Sequence, residues 1–306
     1  MKRRNFIAKT AGVTALTGIG GLSDVLASMP TYSNKSKFTL KYAPTLGMFN
    51  RSAGKDPVDN LKFIADNGFR AAYDLGMGGR PVEEQEKIAA EAARLGLELG
   101  QFSFKIEWGK PTFVLDDDSV REIIRKRITA GLEVQKRTGI NTGLIVPGML
   151  DNKLHPDIQT ANVIRNVRYA LDIIGDSGLT IVLEPLNRLT NHPGAFLTRL
   201  TQGKMICQAV NHPGIKIVDD IYHQQITEGN LVPNLKECWD YVGSIHIADN
   251  PGRNEPTTGE INYHYIFKWL YERNYDGVIS LEHGQSKPDK AGEEAIIQAY
   301  RNVDPK

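Results

Sequence analysis

The chain has 306 residues, 41% of them hydrophobic and 24% charged, with a formal net charge of +1. That balance is ordinary for a soluble globular protein, and the length suits two small domains or one α/β barrel of roughly 250 residues. No Lys/Arg-rich run follows the first ten residues, so the concentrated positive stripe of a nucleic-acid surface is missing.

The first residues read as an export signal. Lys2, Arg3 and Arg4 precede Asn5-Phe6-Ile7 and Lys9, a weakly apolar Gly/Thr/Ala-rich run follows over 11–22, and Val25-Leu26-Ala27 closes it. The run falls short of the roughly 20 apolar residues a spanning helix needs. The twin arginine before Phe-Ile resembles a Tat signal. The expected organisation is therefore a signal over 1–27, a linker over 28–37 and one domain over 38–306, exported to the periplasm without stable membrane insertion. Four cationic residues and one acidic residue lie in the signal, which leaves the remainder at a net charge of −2. Cys207 and Cys238 are the only cysteines. Two thiols at unrelated positions make no disulfide framework, and they read as small apolar fillers on helix faces.

From residue 38 the chain alternates short apolar runs with amphipathic stretches. The runs predict strands over 38–44, 69–74, 97–104, 143–147, 180–185, 215–221, 242–248 and 278–282. Most follow a helix-ending glycine: Gly68, Gly96, Gly139, Gly178, Gly214 or Gly277. Spacing near 3.6 predicts helices over 58–67, 83–95, 120–138 and 158–177, with later ones over 202–210, 231–241, 263–272 and 290–301. Eight β units with helical crossovers indicate a parallel sheet. At this length a single closed (β/α)₈ TIM barrel fits better than an open sheet. Ala43-Pro44-Thr45-Leu46-Gly47 is also not the Gly-rich phosphate turn of an open dinucleotide-binding sheet.

In such a barrel the chemistry gathers at the carboxyl ends of the strands. The last four predicted strands end in metal-ligand residue types: Glu184, Asp219 or Asp220, His246 and Glu282. Alternation puts Val182 on the face of Glu184, Ser244 with His246 and Ser280 with Glu282. Strand six is ambiguous, because Asp219 and Asp220 point opposite ways and Lys216 shares the parity of Asp220. Two Glu, one Asp and one His form a mixed O/N set suited to a single divalent ion such as Mn²⁺, Mg²⁺ or Co²⁺.

The segments Leu183-Glu184-Pro185-Leu186-Asn187, Asp220-Ile221-Tyr222-His223, His246 through Pro256, Thr258 through Tyr263 and Leu281-Glu282-His283 resemble the xylose-isomerase-like barrel superfamily. Within it the hydroxypyruvate isomerase family is the nearest likeness, sharpest over 180–284. The resemblance implies metal positions at Glu184, Asp220, His246 and Glu282, and so favours Asp220 over Asp219. Hydroxypyruvate isomerases usually carry Gln where this chain has His246, whereas related ketose epimerases carry His.

The implied activity is isomerisation of a small α-hydroxy carbonyl compound, a sugar or hydroxyacid. The metal would act as Lewis acid and template for an enediolate, with Glu184 and Glu282 passing the carbon-bound proton between them. His223, Arg253 and Glu255 are the expected substrate-binding residues, with Glu255 also a candidate to orient Arg253. Trp108 is a candidate wall of the pocket. A ketose 3-epimerase or other sugar isomerase is the main alternative. A non-catalytic carbohydrate-binding protein is a third, disfavoured because binding alone needs no opposed pair of carboxylates. Homo-oligomerisation stays open on the sequence alone.

Overall fold

The computed structural model describes residues 36–306. The signal expected over 1–27 and most of the linker expected over 28–37 lie outside the described residues. The strands are β1 (Lys41–Pro44), β2 (Ala71–Ala72), β3 (Glu98–Leu99), β4 (Phe102–Ser103), β5 (Thr142–Ile145), β6 (Thr180–Leu183), β7 (Ile215–Asp220), β8 (Val242–Ile247) and β9 (Val278–Leu281). Seven form one parallel sheet in the order β1-β9-β8-β7-β6-β5-β4, and β2 pairs with β3. A parallel bridge between Thr45 and Tyr73 joins β1 to the end of β2, and the chain runs from β3 into β4 across Gly100-Gln101. These joins complete the ring expected of a (β/α)₈ barrel.

The helices are α1 (Asn50–Ala53), α2 (Pro57–Asp66), α3 (Val82–Leu95), α4 (Asp118–Thr138), α5 (Pro156–Ile174), α6 (Leu200–Val210), α7 (Ile221–Thr227), α8 (Leu231–Cys238), α9 (Tyr263–Tyr271) and α10 (Asp289–Val303). None among the described residues is long and apolar enough to cross a membrane. Gly96 and Gly139 end α3 and α4 in the left-handed conformation, as their positions predict. Gly214 does not act this way: Asn211, at φ 53°, ends α6 instead, since Asn tolerates that region better than other side chains.

The main core lies between strands and helices, where Ile181, Leu183, Ile217, Ile245, Ile279 and Leu281 meet apolar helix faces. The lumen is filled separately by Ala43, Ala71 and Tyr73 on one side and Leu144, Val182 and Val218 on another. Lys216 sits at its floor, with its stem against the positions of Gly243 and Val182 and its Nζ donating to the Asp240 carbonyl at 2.6 Å. A long stem with a polar tip can close an apolar barrel end while the ammonium reaches its edge. Cys207 and Cys238 are buried on α6 and α8.

Candidate metal centre

Glu184, Asp220, His246 and Glu282 converge at the carboxyl mouth, and one ligand atom from each lies within 4.8 Å of all the others. His246 Nδ1 is 2.9 Å from Glu282 Oε2, 3.4 Å from Glu184 Oε1 and 4.0 Å from Asp220 Oδ2. Donors about 2.0–2.6 Å from one hard cation are separated by about 3–5 Å, so the spacing of this set suits a divalent ion. Asp220 completes β7 and caps α7, accepting at Oδ1 from the His223 backbone N–H. Asp219 points the other way, into the strand–helix layer. Burial, followed by the charges of Asp220 and Glu228, pushes its carboxyl up to about 8.

The two glutamates occupy unequal surroundings. Burial and the charge of Glu282 raise the Glu184 carboxyl above its usual range. Glu282 is also opposed by burial, yet the hydrogen bond and charge of His246, with Arg253 and His223 behind them, hold it down to about 2. Burial works against charge on His246, but its bonds to Glu184 and Glu282 outweigh that and raise the ring to about 10. In the described geometry, however, the amide nitrogen of Gln101 faces His246 Nε2. A doubly protonated ring would set two donors against each other there, so that contact belongs to a neutral ring.

A cavity of about 360 Å³ opens over the cluster, lined among others by Glu184, Glu282, His223, Arg253, His192 and Trp108. His223 and Arg253 thus both line this cavity. Asn187 Oδ1 accepts from the N–H groups of Thr190 and Asn191, so its amide nitrogen must face His223 Nδ1, 2.6 Å away. That fixes the proton of a neutral His223 on Nε2, 3.8 Å from Asp220 Oδ2. Arg253 lies with its guanidinium 5.0 Å from the Tyr222 ring centre and Nη2 3.6 Å from Glu282 Oε2.

The loop carrying Arg253 is built around buried Asp249, whose carboxylate accepts from the N–H groups of Asn250, Gly259 and Ile261. Gly259 has no alternative there, because a Cβ would come within 2.2 Å of the Asn250 carbonyl oxygen.

Glu255 stands apart from the other expected substrate-binding residues. It is not among the residues lining the cavity, and its carboxylate is taken by the backbone N–H and hydroxyl of Ser286, tying the loop after β8 to the loop after β9. Arg253 pairs with Glu282 instead. Trp108 does wall the cavity, edge-on to His192 with ring centres 5.0 Å apart. His192, Lys105 and Ser103 also line it, and none of them follows a pattern that marks it in the sequence.

Fold and cluster together define a (β/α)₈-barrel enzyme with a buried acid–imidazole centre at its mouth. The chain belongs to the xylose isomerase-like TIM barrel family, whose model matches residues 61–302. A putative hydroxypyruvate isomerase of Danio rerio is 31% identical over 246 residues, 79% of this chain and 77% of that one. A 2-oxo-tetronate isomerase of Cupriavidus necator is 36% identical, covering 43% of this chain and 50% of its own length. The match to a putative hydroxypyruvate isomerase of Xenopus laevis, at 39% identity, spans 44% of that protein. Among solved structures, a Brucella melitensis protein described as an AP endonuclease of family 2 superposes with a TM-score of 0.71 at 25% identity, covering 83% of this chain and 96% of its own. The curated relatives carry isomerase names, putative in the frog and fish proteins, and the chain spans about half the length of the Xenopus and Cupriavidus relatives.

Proposed function

We propose that the protein is a divalent-metal-dependent isomerase of a small α-hydroxy carbonyl acid, of the hydroxypyruvate or 2-oxo-tetronate kind. The observation that carries this reading is the set of four donor atoms within 4.8 Å of one another, beneath a cavity lined by both glutamates. Glu184, Asp220, His246 and Glu282 would hold the ion, which when bound supplies Lewis-acid polarisation of the substrate's carbonyl and hydroxyl oxygens.

The remaining work falls to side chains. Glu282, hydrogen-bonded to His246 Nδ1 and facing the Arg253 guanidinium, accepts the carbon-bound proton. Glu184, whose carboxyl is raised above its usual range by burial and the charge of Glu282, serves the adjacent carbon. Environments that pull two carboxyl groups apart in this way suit an acid–base pair. His223 donates from Nε2 to a substrate oxygen, and the Arg253 guanidinium meets the carboxylate. Trp108 and His192 form part of the cavity wall.

The deciding experiment is turnover by Mn²⁺-loaded protein of hydroxypyruvate and of 2-oxo-tetronate, with product followed by NMR. Absence of turnover on both substrates, with metal retained, removes this reading. The cavity of about 360 Å³ has room for about twelve waters at ~30 Å³ each, more than a three-carbon acid fills. That supports a sugar 3-epimerase or longer-chain isomerase as the second reading, and ketohexoses belong in the same assay.

A further inference from the structure

Two side-chain amides attend the two imidazoles of this site, and they differ in what holds them. Asn187 is locked by backbone donors, which cannot reverse. Gln101, between β3 and β4, reaches His246 Nε2 with one end of its amide. The other end meets the hydroxyls of Ser244 at 3.1 Å and Ser280 at 3.3 Å. Gln101, Ser244, Ser280 and His246 are all buried. A hydroxyl can donate or accept, so either end of the Gln101 amide can face His246. The choice is set by which ring nitrogen carries the proton.

In the described geometry the amide nitrogen faces Nε2. That leaves the proton of a neutral ring on Nδ1, beside Glu282 Oε2. Ligation of a cation through Nδ1 needs the lone pair on that nitrogen, which moves the proton to Nε2 and demands an acceptor opposite it. Turning the amide over meets the demand. Gln101 Oε1 then accepts from Nε2–H, and its –NH₂ donates to both serine hydroxyls.

We propose that Gln101 is a positioning residue for the metal centre: seated on Ser244 and Ser280, it turns its amide over to select the His246 tautomer that presents Nδ1 to a divalent cation. This role rests on the reading that Glu184, Asp220, His246 and Glu282 hold such an ion. No proton is gained or lost; one moves from Nδ1 to Nε2 within a neutral imidazole.

The test pairs calorimetric Mn²⁺ titration with ¹⁵N NMR of imidazole-labelled protein, metal-free and Zn²⁺-loaded. In wild type, the His246 resonances are expected to move from an Nδ1–H pattern to a protonated Nε2 with Nδ1 ligated. Gln101→Leu should weaken Mn²⁺ binding about 10–100-fold, the range typical of partners that orient a ligating histidine. Gln101→Glu retains an acceptor and should bind Mn²⁺ at least as tightly as wild type. Unchanged affinity in Gln101→Leu, or a wild-type spectrum with Nε2 ligated, overturns the role alone. Should Gln101→Leu fail to fold, the wild-type spectra decide. Failure of wild type to bind Mn²⁺ overturns the four-ligand reading as well.

Discussion

Asp220 divides its carboxylate between two tasks: Oδ1 accepts from the His223 backbone N–H at 2.9 Å, and Oδ2 faces the cluster, 4.0 Å from His246 Nδ1. Asn caps a helix as well as Asp but lacks the charge a hard cation wants. Asp220→Asn should therefore keep the melting temperature near that of the wild-type metal-free protein while Mn²⁺ affinity falls at least tenfold. Asp220→Ala should lose the cap as well, at about 0.5–2 kcal/mol in denaturant titration. Equal stability losses in the two variants would show that the cap contributes nothing.

Asp249 organises the loop that presents Arg253, accepting three backbone N–H bonds. Asp249→Ala leaves those donors without their acceptor, and an unmet buried donor costs about 1–3 kcal/mol. The expected result is a stability loss of about 2–5 kcal/mol with a raised KM for an anionic substrate, because the guanidinium loses its fixed position. Asp249→Asn, which keeps one acceptor oxygen, should fall between. A stability loss with KM unchanged would separate this loop from substrate binding.

Much of the barrel was legible because period-2 and period-3.6 patterns report burial directly. Glu184, His246 and Glu282 could be placed by alternation with Val182, Ser244 and Ser280. Alternation could not choose between Asp219 and Asp220, and Lys216 argued the wrong way. Its stem lies in the lumen floor while its tip reaches Asp240, so a charged residue on the inner face there carries no message about the mouth.

Strand three reads as one run over 97–104, yet the ladder changes partner at Gly100-Gln101. Gly100 stands where a Cβ would lie 2.9 Å from that of Tyr73. Gln101 was invisible as a site residue because its partners lie 143 to 179 positions away. The contact of Glu255 was hidden for a similar reason: proximity to Arg253 in sequence says nothing of Ser286, which donates to its carboxylate.

Burial raises the Cys207 thiol to about 12 and the Cys238 thiol to about 11. At pH 8 about one Cys207 in 10⁴ would be thiolate, the reactive form. Iodoacetamide at that pH should label neither cysteine in the folded protein and both after guanidinium unfolding. Rapid labelling of the native state, read by mass spectrometry, would contradict the buried placement.

The metal cluster joins strands far apart in sequence, so it exists only in the folded barrel. We propose export by a route that carries folded protein, which would let the cytoplasm supply the ion before secretion; in vivo, metal choice follows such availability. Replacing Arg3 and Arg4 with Lys in the full-length chain should retain it in the cytoplasmic fraction. Undiminished periplasmic recovery would exclude a twin-arginine signal.

The sharpest test of the proposed chemistry separates proton transfer from metal holding, since Glu184 and Glu282 are expected to do both. Loss of activity on deleting either residue would not distinguish the roles. Glu282→Gln keeps a neutral ligand oxygen beside His246 but removes the carboxylate that accepts a proton. With Mn²⁺ occupancy confirmed by elemental analysis, its turnover should fall about 10²–10⁴-fold, the usual contribution of a positioned general base. Near-normal turnover with metal retained excludes the two-glutamate mechanism. Wild-type reaction in D₂O gives the second reading: transfer through a carboxylate exposes the proton to solvent, so deuterium should enter at the receiving carbon. A direct hydride shift between carbons would leave that carbon unlabelled. Glu184 is buried and Glu282 only half-buried, so exchange should be partial at low conversion and rise with incubation as product and substrate interconvert.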